Sequence, residues 1–335
     1  MWQTIGHEKA IRTLQRGLQE DRLSHAYLMV GPAQVGKMTL ALDLARLVNC
    51  VGEDRPCGDC NQCRRVSGSL HTDVHVIGLE AQKGGSGRTR VAIGIDQIRA
   101  IQREASLKPY EGRYRVFIFD GAEHFSEEAA NALLKTLEEP PDDVILVLLA
   151  SDAGSLLPTL ISRCTLLELR PVPFSQVADE LETKHEVEHT KAVEIARLSG
   201  GRLGWALEVL SKPELLEQRA EKIEVIENTV RGNLEDRFSF AATLATRFTQ
   251  DRESVRRELA LWLEWWRDVM VTKEGVPNLV TNLSKLEGVQ ATAEALTSAQ
   301  IAGTIAAINE TSEHLERNVN PRLALEGLML ALPRL

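Results

Sequence analysis

The stretch that decides the fold is AYLMVGPAQVGKMTLALDLARLVN, residues 26–49. Its first five residues form an apolar strand-like run, and residues 37–49 have the spacing of a helix. Between them, GPAQVGK fits the G-x-x-x-x-G-K pattern of a phosphate-binding loop, in the strand–loop–helix setting that the loop requires. Backbone N–H groups at a helix N-terminus would surround phosphate, with Lys37 supplying positive charge. The loop residues are Gly31, Pro32, Ala33, Gln34, Val35, Gly36, Lys37 and Met38.

Position 38 departs from the pattern of a working phosphate loop. Such loops carry Ser or Thr after the lysine, because the hydroxyl binds Mg²⁺. Met38 stands there in this chain, and Thr39 lies about 100° further around the helix. The sequence therefore predicts a loop of phosphate-binding ancestry, favoured over a plain glycine turn. It leaves open whether ATP or ADP still binds without hydrolysis.

Apolar runs alternate with helical stretches through the first 170 residues. Strands are predicted at 26–30, 73–77, 114–119, 144–150 and 165–169, and further helices at 95–107 and 127–138. This alternation indicates a parallel sheet covered on both faces. From residue 171 onward helices are predicted at 174–184, 189–199, 203–211, 252–271 and 297–317. We expect an α/β domain over 1–170, a small helical domain over 171–211 and a larger helical domain over 212–335.

Asp120 follows the predicted strand at 114–119 and is the candidate carboxylate for a nucleotide's metal ion. A hydrolytic site also needs an acid that polarises the attacking water, but the next residue is Gly121. Glu123 is expected to point elsewhere. A chain that lacks both the Ser or Thr hydroxyl for Mg²⁺ and this acid lacks two groups on which phosphoryl transfer depends. For Asp120 a role as a strand-end turn residue is an equal alternative.

Four of the five cysteines are Cys50, Cys57, Cys60 and Cys63, with the spacing C-x6-C-x2-C-x2-C. In a reducing compartment, clustered thiols more often bind metal than form disulfides. Four thiolates complete a tetrahedron around Zn²⁺ at ~2.3 Å and leave no position for water, so we predict a structural zinc site. Zinc is favoured over an iron–sulfur cluster because nothing else in the sequence suggests redox chemistry. The fifth, Cys164, is predicted to be a packed core thiol.

Composition excludes several classes of protein. Of 335 residues, 43% are hydrophobic and 26% are charged, as in a folded globular chain. No apolar run approaches the ~20 residues of a membrane helix, and the N-terminus has no signal-peptide region, so we expect a cytoplasmic protein without membrane contact. The net charge of −9 argues against a chain that binds DNA on its own.

Two further features have more than one interpretation. The basic, glycine-rich KGGSGRTR at 83–90 is predicted to be a solvated loop, and contact with DNA or a partner through Lys83, Arg88 and Arg90 is the alternative. Three tryptophans share one helix face at i, i+3 and i+4 spacing. We favour core packing for them over an intersubunit contact. They are Trp262, Trp265 and Trp266.

Three stretches and the cysteine cluster are similar to one protein family. The stretches are NALLKTLEEPP at 131–141, LLPTLISRC at 156–164 and LERNVNPRLALEGLML at 315–330. Together they resemble the bacterial DNA polymerase III clamp-loader AAA+ family over nearly the whole chain. The resemblance implies an AAA+ α/β domain with a five-stranded parallel sheet and a zinc module at 50–63, then a three-helix lid domain and an all-α collar.

Within that family the sequence favours the delta-prime type of subunit over the ATP-hydrolysing gamma/tau type. Met38 and Gly121 replace motif residues, and Gly204 stands where active subunits carry a sensor arginine, although Arg202 is nearby. The segment LHTDVHVI at 70–77 also resembles the delta-prime sequence after its zinc module, although Thr72 stands where proline is usual. The chain stops at Leu335, whereas gamma/tau chains often carry a longer C-terminal extension.

The resemblance also implies a mechanism and partners. On its own, Arg163 would be an arginine at a helix end, but in this family the SRC arginine reaches the ATP of a neighbouring subunit as a finger in trans. The implied assembly is a five-subunit ring with gamma/tau and delta subunits that loads the sliding clamp on primer-template DNA. The alternatives are an active gamma/tau-type ATPase and a zinc-dependent nucleic-acid-binding module.

Overall fold

The computed structural model describes residues 1–83, 89–317 and 319–334. The chain divides into two compact units, which are Met1–Glu180 with Gly201–Trp205, and Leu181–Gly200 with Ala206–Leu335. The finer division of the helical part at residue 211 stays a prediction. No described helix combines the length and the apolar character needed to cross a bilayer.

The strands are β1 (Ala26–Val30), β2 (Val74–Ile77), β3 (Glu80–Lys83), β4 (Thr89–Ala92), β5 (Arg115–Asp120), β6 (Val144–Ala150) and β7 (Thr165–Glu168). The helices are α1 (Glu8–Gln19), α2 (Lys37–Asn49), α3 (Asn61–Ser67), α4 (Ile95–Ala105), α5 (Glu127–Glu138), α6 (Pro158–Ile161), α7 (Phe174–His185), α8 (His189–Leu198), α9 (Leu203–Ser211), α10 (Glu214–Arg231), α11 (Leu234–Gln250), α12 (Arg252–Lys273), α13 (Leu286–Ala295), α14 (Ser298–Glu316) and α15 (Pro321–Ala331). Short 3-10 turns lie at Ala122–His124, Ala153–Ser155, Pro277–Leu279 and Leu283–Lys285.

The main sheet has five parallel strands in the order β2-β5-β6-β1-β7. This confirms the predicted fold class and all five predicted strands within one residue at each end. Every residue of β6 is buried, because helices cover both faces of this central strand. Since the strands are parallel, their carboxyl ends share one edge of the sheet, and the loop after β1 lies there beside the ends of β5 and β6.

The predicted loop at 83–90 is partly wrong. Lys83, Thr89 and Arg90 belong to an antiparallel hairpin in which Glu80 pairs with Ala92. The glycine- and serine-rich composition of 84–87 dominates the sequence signal, and the strand-forming TRVA run that follows it is short. Residues 84–88, and with them the contact suggested for Arg88, lie outside the described residues.

The second unit is built around α12. Its three tryptophans are each completely buried, which confirms core packing as their role. Trp265 and Trp266 meet edge to face with ring centroids 5.1 Å apart, and Trp262 stacks on Phe240. Such pairs add to the free energy gained by burial, so this cluster anchors the helical core.

Candidate functional site

The four clustered cysteines converge on one point between α2 and α3. Their Sγ atoms all lie within 4.8 Å of one another. Cys50 Sγ is 3.5 Å from Cys57 Sγ and 3.9 Å from Cys60 Sγ. A tetrahedron with ~2.3 Å metal–sulfur bonds has edges of about 3.8 Å, so these spacings fit a four-thiolate site. The four cysteines could therefore hold a metal ion.

Backbone groups around the cluster point at the sulfur atoms. The N–H groups of Gly52 and Cys57 donate to Cys50 Sγ at 3.4 Å, and the Cys63 N–H donates to Cys60 Sγ at the same distance. Cys60 is also the N-cap of α3. A Cβ at Gly52 would come within 3.0 Å of Cys57 Cβ, so glycine is required there. Such N–H donors are the usual outer contacts of metal-bound sulfur atoms.

The phosphate loop occupies the edge where the strands end. The Gly31 N–H donates to the Ala150 carbonyl at 3.2 Å, which fixes the start of the loop against β6. Lys37 Nζ donates to the carbonyl oxygens of Gly31 and Pro32, at 2.5 and 3.0 Å. Burial lowers the pKa of Lys37, and the negative charges of Glu123 and Asp120 act in the opposite direction. The loop enters α2 through Gly36, which has a left-handed φ of 111°, and Met38 is half-buried in the first turn of that helix.

Two groups from other parts of the chain contact backbone carbonyl oxygens of the phosphate loop. His7 Nε2 lies 3.0 Å from the Val35 carbonyl oxygen. The Gly204 N–H donates to the Gln34 carbonyl at 2.9 Å, and Gln34 has a left-handed φ of 63°. A Cβ at Gly204 would lie 2.8 Å from the Gln34 oxygen, so α9 can start this close to the loop only with glycine. Gly204 is therefore a contact residue of the loop.

This contact predicts that Gly204→Ala destabilises the protein. Alanine is the better helix former by ~1 kcal/mol, so a net loss would report the clash with Gln34, and we expect a loss of about 1–2 kcal/mol. Thermal unfolding of the full chain measures it. Gly303→Ala is the matched control, because Gly303 is an exposed glycine in α14 with no atom within 4 Å of its Cβ position. That control should be neutral or stabilising, and equal melting of Gly204→Ala and wild type would contradict the clash.

The predicted metal-binding carboxylate and its neighbour also lie at this edge. Asp120 is the exposed last residue of β5. Gly121 adopts a left-handed φ of 87°, and a Cβ there would lie 3.2 Å from His124 Cδ2. A glutamate at 121 would therefore be strained. The backbone itself, and not only the side chain, departs from what a hydrolytic acid at this position would need.

Glu123 is held beside the carboxyl end of β6. Its Oε1 accepts hydrogen bonds from the Ser151 N–H at 3.1 Å and the Ser151 hydroxyl at 2.6 Å. Burial acts to raise the pKa of Glu123, but the hydrogen bonds from Ser151 and from its own backbone N–H, with the charge of His124, outweigh it and hold the pKa below its usual value.

Arg163 lies at the opposite end of the strands from the phosphate loop, where their amino ends are. It follows α6 and comes two residues before β7, whose first residue, Thr165, is level with Tyr27 at the start of β1. Its guanidinium donates to Glu138 Oε1 at 2.6 Å and to the Thr159 carbonyl at 3.0 Å. The side chain is 35% exposed. The structure thus brings Asp120, Glu123 and Lys37 together but separates Arg163 from them.

Cys164, next to Arg163, is a packed thiol as predicted. It packs against the sheet core from a partly buried position. Burial raises its pKa to about 11, so it stays protonated at neutral pH.

Comparison with known proteins gives consistent similarities along the chain. The profile of the family described as DNA polymerase III, delta subunit, matches residues 6–173, and that described as DNA polymerase III, delta subunit, C terminal, matches 213–333. The DNA polymerase III subunit delta' of Bacillus subtilis is 29% identical over 97% of this chain and 95% of its own length.

Shorter matches occur in Haemophilus influenzae. Its subunit delta' is 33% identical over 65% of this chain and 63% of its own length. Its subunit tau/gamma is 31% identical over 70% of this chain but only 34% of its own length. The chain thus spans about a third of the tau/gamma relative, and nearly all of the Bacillus delta' relative.

Proposed function

This chain belongs to the DNA polymerase III delta subunit family, and we propose that it acts as a delta-prime-like clamp-loader subunit that hydrolyses little or no ATP itself. In this proposal it joins gamma/tau and delta subunits in a five-subunit ring in the cytoplasm. The ring loads a sliding clamp on primer-template DNA, and this subunit supplies Arg163 to the ATP site of a neighbour.

The position of Arg163 carries the proposal. The phosphate loop leaves the carboxyl end of β1, whereas Arg163 precedes the amino end of the parallel strand β7. Four strand residues at ~3.3 Å each separate the two ends, so an arginine there cannot complete its own site but is available to another chain. Its present partner, Glu138, is an exposed carboxylate, and exposed ion pairs contribute only ~0–1 kcal/mol. The arginine can therefore exchange Glu138 for a phosphate at low cost.

The phosphate loop supports the absence of hydrolysis in cis. Met38 offers no hydroxyl to Mg²⁺, and Gly121 offers no acid to a water molecule. Phosphoryl transfer depends on positioned charges of this kind. In the proposal the loop is a retained structural element, and Asp120 is at most a remnant of the metal site.

The cysteine cluster takes a structural role in the proposal. Four thiolates favour Zn²⁺ and leave no open coordination position. Bound zinc would fix the segment between α2 and α3. The nucleic-acid-binding alternative finds little support, because Arg55 is the only basic residue within 50–63 and its Nε donates to the Gly52 carbonyl.

ATP turnover by the purified full chain tests the proposal against the gamma/tau alternative. With Mg²⁺ and ATP we expect no turnover above the background of a Lys37→Ala control, because both the metal ligand and the water-polarising acid are missing. Phosphate release measures it. Robust turnover that disappears in Lys37→Ala would show an active gamma/tau-type ATPase instead. Salt-sensitive binding of DNA by the chain alone would favour the zinc-dependent nucleic-acid module.

A further inference from the structure

A cavity of about 410 Å³ lies in the second unit, where α10 ends, α11 begins and the chain leaves α15. Half of the described residues that line it are arginines, and none of them is an aspartate or a glutamate. The acids in the first turn of α11, Glu235 and Asp236, are not part of the lining. The lining residues are Arg231, Gly232, Asn233, Leu234, Arg237 and Arg334. Positive charge therefore dominates the wall of this cavity.

Arg237 fixes the geometry of the cavity. Its side chain is buried, and its guanidinium donates to five backbone carbonyl oxygens at the carboxyl ends of α10 and α15. One nitrogen, Nη2, donates both to the Val230 carbonyl at 2.6 Å and to the Pro333 carbonyl at 2.7 Å. Each of these carbonyls belongs to the residue just before one of the other two arginines. A single nitrogen therefore holds the backbones of both arginines at the same point.

The charge of Arg237 is offset within the protein, whereas the charges of the other two arginines are not. The carboxyl end of a helix carries about half a negative charge, so two helix ends offset one guanidinium. Arg231 and Arg334 are exposed, and neither has an ion pair or a side-chain hydrogen bond with any residue that the structure describes. The amino end of α11, which Asn233 caps, adds partial positive charge. The described residues thus leave about two positive charges unbalanced at the cavity.

We propose that this cavity binds a small phosphate monoester, with the guanidinium groups of Arg231 and Arg334 as its ligands. A phosphate monoester carries about −1.5 to −2 charge at neutral pH. That charge matches two unbalanced guanidinium groups better than the single charge of a carboxylate does. The planar fork of arginine donates two parallel hydrogen bonds to phosphate oxygens, and N–H groups at a helix start favour the same anion. The site uses neither the phosphate loop nor Arg163, so it is independent of the proposed function.

Equilibrium binding of phenyl phosphate and of benzoate to the full chain tests this inference, because the two probes share a ring and differ in their anionic group. Calorimetry at low ionic strength measures both affinities. The titrations use chain with Lys37→Ala, so that the phosphate loop contributes little. We expect one phenyl phosphate per chain, bound about tenfold more tightly than benzoate. Single-stranded DNA, whose diester groups carry one charge each, should not displace it.

Arg231→Gln and Arg334→Gln locate the binding. Each variant should weaken phenyl phosphate binding at least about tenfold, since each removes a charge-assisted hydrogen-bond donor. Both side chains are exposed, so folding should be unaffected. Arg257→Gln is the matched control, because Arg257 is an exposed arginine in α12 outside the cavity lining and its loss changes the net charge equally. That control should leave the affinity unchanged.

Four results would overturn the inference. Phenyl phosphate that fails to bind, or that binds no more tightly than benzoate, would exclude a site for this dianion. Equal affinities in Arg231→Gln, Arg334→Gln and the control would place the binding elsewhere on the chain. Displacement of phenyl phosphate by single-stranded DNA at a lower concentration than by unlabelled phenyl phosphate would assign the arginines to a nucleic-acid backbone instead of a small ester.

Discussion

Arg163→Ala should slow ATP hydrolysis about 10³-fold at the neighbouring site that this subunit completes, since arginine fingers contribute ~10³–10⁵ in rate. The positive charge would be missing where negative charge develops on the transferred phosphate. In a reconstituted complex, single-turnover hydrolysis resolves this site from the other ATP sites. The steady-state rate of the whole complex would fall only by the fraction that this site contributes to it. Assembly should persist, because the side chain's hydrogen bonds, to Glu138, the Thr159 carbonyl and the Ser162 hydroxyl, lie at the surface.

Arg170→Ala is the matched control for this experiment. Arg170 is an exposed arginine just after β7 and has a similar carboxylate partner, Glu168, at 3.2 Å. It lies at the opposite end of the strand from Arg163, so its loss should leave hydrolysis unchanged. Arg163→Lys should recover only part of the rate, because an ammonium lacks the planar fork of a guanidinium. An unchanged rate in Arg163→Ala would remove the trans mechanism.

The three central strands of the sheet could be predicted from the sequence because nearly all of their residues are buried. A strand such as Val144–Ala150 has apolar residues at every position, and such runs are readable without tertiary information. The cysteine cluster was equally readable, because metal ligands in a C-x2-C-x2-C pattern are brought together by local turns. The paired strands β3 and β4 carry no such run, and the glycine-rich sequence between them predicted a loop instead.

The surroundings of the phosphate loop could not be predicted in the same way. Glu123 reaches Ser151 only because Gly121 takes a left-handed conformation, and residue spacing does not contain that angle. Gly204 illustrates the same limit. Its packing shows a backbone contact with Gln34 that a side chain would break, and the sequence alone does not contain that contact. Both residues depend on pairs distant in sequence, and those pairs are visible only once the chain has folded.

Cys63→Ser should abolish zinc binding and lower the free energy of unfolding by about 4 kcal/mol, a size expected when a structural metal is lost. Cys50 and Cys63 are completely buried, so without the ion their sulfur atoms remain clustered in the core with no common partner. The loss should spread, because Asn49, the residue before Cys50, accepts hydrogen bonds from the N–H groups of Arg113 and Tyr114 beside β5. Thermal unfolding should show a Tm lower by about 10 °C.

Metal analysis and chelation decide whether the ion causes this loss. Wild-type protein purified without chelators should contain one zinc per chain, and Cys164→Ser should keep it, because Cys164 lies outside the cluster. A chelator should lower the Tm of wild type to that of Cys63→Ser and leave the variant unchanged, since both then lack the same ion. A chain that contains no zinc, or a Cys63→Ser variant that melts with wild type, would reduce the cluster to four packed thiols. In that case the segment between α2 and α3 would be held by its backbone hydrogen bonds alone.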